Sequence, residues 1–351
     1  PKLKEAIQQA KRNIEAFHQA QVQAPVSIEV QAGVKCWQKA QPIDKVGLYI
    51  PGGTAPLFST VLMLAVPAQL AGCGEIVLCS PPGKEGKIHP AILYTAHLCG
   101  IRRIFKIGGV QAIGAMAYGT ETVPQVYKIF GPGNRYVTAA KQLVSLGDTA
   151  IDMPAGPSEV LVMADQTAIP AFVAADLLSQ AEHGNDSQVI LLTSSAALAE
   201  AVQKEIQTQC AALPRATIAW KALENSKIIL LKDREEMLRF SNAYAPEHLI
   251  ISTKDYRRLA DRVTNAGSVF LGNYSPESAG DYASGTNHTL PTKAYARAYS
   301  GLNLDSFKKK ISFQEISREG LQALGPTIEI MAENEELLAH KRAVSIRLKQ
   351  D

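Results

Sequence analysis

Cysteine is scarce in this 351-residue chain: five in all, an odd number, with no C-x-x-C pair among them. That argues against a disulfide framework. Cys73, Cys79 and Cys99 stand among apolar neighbours, where a thiol behaves as a small hydrophobe; Cys36 and Cys210 complete the set. The usage fits a reducing compartment, and a cytoplasmic location is expected. Aromatic residues make up only 6% of the chain, which speaks against a base-stacking surface. No long Lys/Arg run occurs: Lys308-Lys309-Lys310 is the densest basic cluster, and the net charge is +3. Neither a nucleic acid nor an anionic membrane is called for as a partner. No apolar run reaches the length of a membrane span. Two nucleotide signatures are missing as well. There is no G-x-G-x-x-G, the standard dinucleotide fingerprint, and no G-x-x-x-x-G-K-S/T, which disfavours a P-loop NTPase. The N-x-S/T triplets at Asn185, Asn273 and Asn287 carry no weight in a chain without a sign of secretion. The chain opens on Pro1 instead of Met, so an upstream stretch is expected, a removed targeting peptide being one form of it.

What is present is globular: 46% hydrophobic, 20% charged, and long enough for two core-bearing domains. Residues 2–22 read as an exposed helix, and from about 28 to 50 the pattern is extended. A β-α alternation follows, with strands at 46–50, 75–79, 102–106, 126–130 and 150–152 and helices at 57–71, 88–99, 110–118 and 134–146. A second series begins after Met153-Pro154-Ala155-Gly156-Pro157. Its strands lie near 159–163, 188–192, 227–231, 247–252 and 267–271, its helices near 170–183, 195–212, 233–243 and 255–264. Short apolar strands alternating with helices imply mainly parallel sheets covered on both faces. The expected fold is therefore α/β, with two Rossmann-like lobes at 43–153 and 154–290. A helical or extended segment at 1–42 and a helical tail at 291–351 flank them. No residue-level repeat relates the halves. Residues 272–293 read as a polar loop, and helices are expected near 315–323 and 326–341.

Four places carry chemistry. Glycine clusters at Gly52-Gly53, Gly108-Gly109 and Gly131-Pro132-Gly133-Asn134 each follow a strand and precede a helix. That is where α/β sheets bind ligands, although tight turns explain any one of them equally well. Gln180 and His183 close the helix that opens at Pro170, three residues apart and hence on one face, before Gly184 as its left-handed stop. Imidazole is a common metal ligand, while capping and a cross-domain hydrogen bond form the plainer reading. Glu247 and His248 are adjacent on an extended segment. They suit two separate proton-transfer roles but point to opposite sides, poorly placed to pair. In the polar stretch, Asp281 is a hard oxygen ligand candidate and His288 follows seven residues on. In the last helix, Glu336 and His340 are i, i+4 neighbours, either a solvated face or the last part of a metal site shared across a dimer.

With these places in view, the chain resembles the histidinol dehydrogenase family, which catalyses the last step of histidine biosynthesis. The matching stretches are VGLYIPGG at 46–53, APLFSTVLMLA at 55–65, KIFGPGN at 128–134 and IDMPAGPSEVLV at 151–162. They continue with DLLSQAEHG at 176–184, PEHLII at 246–251, GSVFLGNYSPESAGDYASGTNH at 267–288 and AHK at 339–341. The resemblance implies an aldehyde-dehydrogenase-like pair of lobes and a zinc-dependent, NAD-linked homodimer that oxidises L-histidinol. It implies zinc ligands at Gln180, His183 and Asp281, with His340 given by the partner subunit. It implies Glu247 and His248 as the catalytic acid–base pair. Ser158, His288 and Glu335 join Gln180, His183, His248, Asp281 and His340 as substrate contacts, and Tyr49, Gln111 and Asn134 as NAD contacts. The rival expectations are a zinc hydrolase with Glu247 as water-activating base, and a non-catalytic pair of binding lobes.

Overall fold

The computed structural model describes residues 1–52, 55–154 and 156–349. Of the turns expected at 51–56 and 153–157, Gly53, Thr54 and Ala155 lie outside the described residues. The chain divides into two compact units: Pro1–Gln21 with Ile43–Phe307, and Val22–Pro42 with the segment from Lys308 onward.

The first unit opens with helix α1 (Lys2–Gln19). Ile7, Ala10, Ile14 and His18, spaced three or four apart, form its buried stripe, so the helix is half-buried and not the exposed one expected. The chain then passes through β1 (Val26–Gln31) and β2 (Val34–Pro42), which belong to the second unit. It returns with β3 (Lys45–Tyr49), α2 (Phe58–Ala71), β4 (Glu75–Cys79), α3 (Pro90–Leu98), β5 (Ile104–Phe105), α4 (Gly109–Tyr118), β6 (Lys128–Phe130), α5 (Arg135–Val144) and β7 (Ala150–Ile151). These strands form one parallel sheet in the order β5-β4-β3-β6-β7. α2 is buried nearly all round, which explains its unbroken apolar sequence.

The second series runs β8 (Glu159–Ala164), α6 (Pro170–Ala181), β9 (Gln188–Thr193), α7 (Ala196–Ala211), α8 (Ala216–Glu224), β10 (Lys227–Leu230), α9 (Arg234–Tyr244), β11 (His248–Ser252), α10 (Tyr256–Ala260) and β12 (Ser268–Leu271). Its sheet is again parallel, in the order β10-β9-β8-β11-β12. Each sheet therefore has its own strands in the order third, second, first, fourth, fifth. This topological repeat has no echo in the residues, because strand order depends on backbone crossovers and not on particular side chains. Every residue of β8 is buried, and the pleat sorts them by face. Val160, Val162 and Ala164 pack with residues of α6 and α7; Leu161 and Met163 pack with Met237, Leu238 and Leu259. A six-residue helix α11 (Glu277–Tyr282) stands inside the stretch read as a polar loop.

In the second unit, β13 (Lys308–Ile316) pairs antiparallel with β2, which pairs antiparallel with β1. Trp37 and Phe313 face each other in register and stack at 5.4 Å. Helices α12 (Arg318–Asn334) and α13 (Leu338–Leu348) follow. The helix expected near 315 thus begins only after Ser317, whose hydroxyl accepts from the Gly320 N–H at 3.1 Å. The helix expected at 326–341 is broken between Asn334 and Leu338, with Glu336 left-handed at φ +59°. Glu336 and His340 are therefore not i, i+4 neighbours on one helix. No helix among the described residues is long and apolar enough to cross a membrane.

At the C-terminal edge of the second sheet, Asp165 is fully buried. It accepts from Thr167 N and Oγ1 (2.9 and 2.6 Å), Lys254 N (3.0 Å) and Arg234 Nη2 (2.7 Å). Burial raises its pKa, but these donors and the Arg234 charge outweigh that and hold it below 3.8. Asp165→Asn is expected to cost about 2–3 kcal/mol near neutral pH, read from urea unfolding. Because the folded pKa is depressed, the difference from wild type is full above the unfolded value near 3.8. It is lost as pH falls through the lower folded value.

Candidate active site

The N-terminal edge of the second sheet collects the titratable groups. The parallel register sets His248, the first residue of β11, beside Val160, so Glu247 lies against Glu159. The backbone of Glu159 then serves three side chains. Its N–H donates to Glu247 Oε2 at 2.8 Å. The Glu159 carbonyl accepts from Gln180 Nε2 at 3.1 Å and from His248 Nδ1 at 3.1 Å. Gln180, wholly buried in the last turn of α6, also lies 3.4 Å from Glu247 Oε2. A proton on Nδ1 of His248 leaves Nε2 as the free lone pair, 3.6 Å from Asp281 Oδ1. Glu247 Oε2 lies 3.6 Å from His248 Nδ1, closer than alternation along a strand led one to expect, because Glu247 precedes β11 instead of continuing it.

α6 ends at Ala181, and His183 lies in the turn beyond it, its N–H donating to the Gln180 carbonyl at 3.2 Å. Gly184 does not supply the left-handed stop, since its φ is not positive. Asp281 sits on α11, and its carbonyl accepts from Nδ1 of His288 at 2.9 Å. Nε2 of His288 meets the Thr60 hydroxyl at 3.3 Å. Ser158 immediately precedes β8. Gln180, His183, Glu247, His248, Asp281 and His288 thus converge in the first unit. Glu335 and His340 belong to the second unit, where both are exposed, at the end of α12 and on α13.

Burial dominates the electrostatics. It pushes the Glu247 carboxyl up to about 7, against His248 and the Glu159 N–H that lower it. Burial lowers the His248 pKa, but Glu277, Glu247 and Asp281 reverse the sign and carry it to about 10. A divalent ion among the same carboxylates would offset their charge and return the ring to the neutral form that a base needs. Loss of water around the ring lowers His183, with His248 and His288 adding to it against Asp281, and burial lowers His288, so both favour the neutral imidazole that binds metal, although the His183 residue keeps exposed surface. The donor set fits an ion. Gln180 Oε1, Glu277 Oε2 and His248 Nε2 are buried without partners, and ligand atoms of His183, Glu277 and Asp281 lie within 4.8 Å of one another.

The first sheet meets this cluster with its C-terminal edge. A cleft of about 490 Å³ is lined by Gly133, Asn134 and Arg135 on one side and Ser158, His183 and Lys293 on the other. Asn134 caps α5, accepting from Tyr136 and Val137 N–H at 3.0 and 3.1 Å. Gln111 is exposed in the first turn of α4, and the buried Tyr49 phenol accepts from Gly109 N–H at 3.1 Å. Gly131, at φ +125°, must be glycine: a Cβ would stand 2.1 Å from the Tyr49 carbonyl. Its N–H donates to Asp152 Oδ2 at 2.8 Å, and its carbonyl accepts from Lys141 Nζ at 2.8 Å. Lys141 and Asp152 are a buried ion pair.

Sequence reasoning missed Glu159 and Glu277. Glu159 reads as an ordinary strand residue until the register is known. Glu277 and Asp281 carry the i, i+4 spacing of one helical face, a signal lost when the stretch is read as a loop.

With both sheets wound in the nucleotide-binding strand order and an acid–base pair buried at their cleft, the chain falls among the α/β oxidoreductases. The family model for histidinol dehydrogenase matches residues 1–348. The histidinol dehydrogenase of Bacteroides fragilis (strain YCH46) is 67% identical over 348 residues, 99% of this chain and 81% of that protein. That of Escherichia coli (strain K12) is 58% identical, over 99% of this chain and 79% of that protein. The crystal structure of histidinol dehydrogenase from Elizabethkingia anophelis superposes with a TM-score of 0.97 at 61% identity, covering 99% of this chain and 80% of that one. The chain belongs to the histidinol dehydrogenase family. A propionaldehyde dehydrogenase from Clostridium phytofermentans, at 13% identity and a TM-score of 0.53 over 89% of this chain and 88% of that one, shares the fold. Family membership sets aside the hydrolase and the non-catalytic binding pair.

Lys141→Met would strand Asp152 as a buried unpaired charge beneath the Gly131–Asn134 turn. It is expected to cost about 3–5 kcal/mol in urea unfolding. The double variant with Asp152→Leu should regain part of that loss.

Proposed function

We propose that the chain oxidises L-histidinol to L-histidine through the aldehyde in two NAD-linked hydride transfers, as a zinc-dependent homodimer in a reducing, cytoplasmic compartment. The observation that carries this is the convergence of Gln180, His183 and Asp281 on the Glu247–His248 pair. In this reading residues 43–153 form the NAD side, with Tyr49, Gln111 and Asn134 as cofactor contacts. Residues 154–290 carry the catalytic and metal groups, and 1–42 and 291–351 flank them. The segment from 291 on also makes dimer contacts. Gln180, His183 and Asp281 hold zinc together with His340 of the partner subunit. Ser158, His288 and Glu335 contact substrate. Exposed apolar residues in the second unit, among them Ile28, Val30, Met331 and Leu338, favour a second copy as its cover. Five free cysteines accord with the compartment.

When bound, zinc would orient the substrate's amine and imidazole, and NAD⁺ would accept the hydride. His248 is held by the Glu159 carbonyl with Nε2 free, so it takes the hydroxyl proton as hydride leaves the carbinol carbon. The aldehyde must add water before a second hydride can leave. Glu247, fixed by the Glu159 N–H and lifted to about 7, takes the proton of that water, and His248 again accepts a hydroxyl proton in the second oxidation.

His248→Asn is expected to slow both oxidations by about 10²–10⁴-fold. Glu247→Gln should slow aldehyde oxidation more than alcohol oxidation, each followed by NADH absorbance with histidinol or histidinal as substrate. Equal loss in both steps would count against the division of roles.

His340→Ala and Asp281→Ala subunits should each be inactive. Mixed and reassorted, they should recover about a quarter of wild-type activity, since half the dimers carry one intact site. No recovery would mean that the site is built within one chain.

A further inference from the structure

Helix α1 carries a histidine where its stripe calls for an apolar residue. Ile7, Ala10 and Ile14 pack into the core of the first lobe, and His18, next on the same face, is wholly buried. Leucine there would avoid the cost of burying two ring nitrogens, so the nitrogens need partners. Nδ1 lies 2.9 Å from the Ile14 carbonyl, which can only accept, so Nδ1 carries the proton. Nε2 is then a lone pair, and it faces Nδ2 of Asn287 at 3.4 Å. Loss of water around the ring lowers the His18 pKa below 6.5, against the Ile14 carbonyl that raises it, and keeps that lone pair free. Asn287 is itself buried, with its amide tied at both ends. Nδ2 also donates to the Met63 carbonyl at 2.7 Å. That carbonyl is open because its partner within α2 would be the N–H of Pro67, which has none. Oδ1 accepts from Thr289 N–H at 3.0 Å, so the side chain closes a turn around the residue between, His288. Helix α1 meets the same segment twice more. Asn13 Nδ2 donates to the Ala283 carbonyl at 2.8 Å, and a Cβ on Gly285, at φ +115°, would stand 2.8 Å from the Asn13 carbonyl.

We propose that His18 is a positioning residue of the histidinol site, acting through the Asn287 amide on the backbone that carries His288. It rests on the reading of His288 as a substrate contact. His18 is sealed in the core and touches no substrate. Its lone pair takes the second Asn287 hydrogen while the Met63 carbonyl takes the first, so the amide has one orientation. That orientation sets the turn, and the turn sets where the His288 ring begins. The Asp281 carbonyl and the Thr60 hydroxyl then fix only how the ring is rotated.

The test uses the full chain loaded with zinc. Calorimetry without NAD⁺ gives the dissociation constant of L-histidinol, and steady-state kinetics give KM for NAD⁺. Zinc content and circular dichroism melting are the checks on the fold. His18→Leu keeps the size and removes the acceptor, whereas His18→Gln offers a carbonyl oxygen where Nε2 stands. His18→Leu is expected to weaken L-histidinol by about 10-fold, the worth of one misplaced hydrogen bond, with zinc content and KM for NAD⁺ unchanged. His18→Gln should restore most of that loss. His288→Ala should weaken L-histidinol at least as much, and His18→Leu added to it should change nothing further, because residues acting in one line do not add. If His18→Leu folds and binds as wild type, loses zinc, gains nothing from glutamine, or adds its full loss to that of His288→Ala, the inference is overturned and the substrate role of His288 stands. If His18→Leu does not fold, His18→Asn takes its place, keeping the donor to Ile14 but falling short of Asn287. A chain that folds with neither makes His18 a requirement of folding and overturns the inference. If His288→Ala itself binds L-histidinol as wild type, the substrate role of His288 falls and the inference with it.

Discussion

The backbone of Glu159 is the point on which the rest of the site depends. Its N–H orients the Glu247 carboxylate, and its carbonyl orients both the Gln180 amide and the His248 ring. No side chain could do this with the same rigidity, because β8 is hydrogen-bonded on both sides, by β9 and β11. The constraint is one of register. A shift of one residue between β8 and β11 would move Glu247 away from that N–H and turn the pleat of the whole strand inside out.

The two lobes share a strand order and use it at opposite ends. In a βαβ unit the helix returns antiparallel to the strands. Helix N-termini therefore gather at the C-terminal edge of the sheet, and helix C-termini at the N-terminal edge. The first lobe presents the former, with α4 and α5 starting at Gly109 and Arg135, a field that favours an anion such as a cofactor phosphate. The second lobe presents the latter, with α6 ending at Ala181 and α9 at Tyr244 just before Glu247, a field that favours a cation or an imidazolium. One topology thus supplies an anion-seeking and a cation-seeking edge, and the cleft lies where they meet.

The general rule that ligands lie beyond the carboxyl ends of parallel strands holds for the first sheet and fails for the second. Reading glycine turns after strands led to the first. Nothing comparable marks the second, where the signal was chemical: a Glu–His pair and a Gln–His pair that also had plainer structural readings, until the resemblance singled them out. His183 and Gln180 were legible as a pair because three residues separate them near a helix end. Glu277 was not, because helix α11 is only six residues long and lies among Gly, Ser and Asn, which read as loop.

Alternation of apolar strands with helices is a local property, since each element declares itself by its own period and its own turns. For that reason the strand and helix series, the two parallel lobes and most of the chemistry-bearing side chains were determined by the residues alone. The break at Glu336, the strand at Lys308–Ile316 and helix α11 were decided by neighbours that local periodicity does not register. Tertiary structure alone decided the lateral order of strands, the edge at which each lobe works, and the closeness of Glu247 to His248. Those follow from crossovers and register between segments far apart in the chain, a long-range geometry that no window of sequence contains.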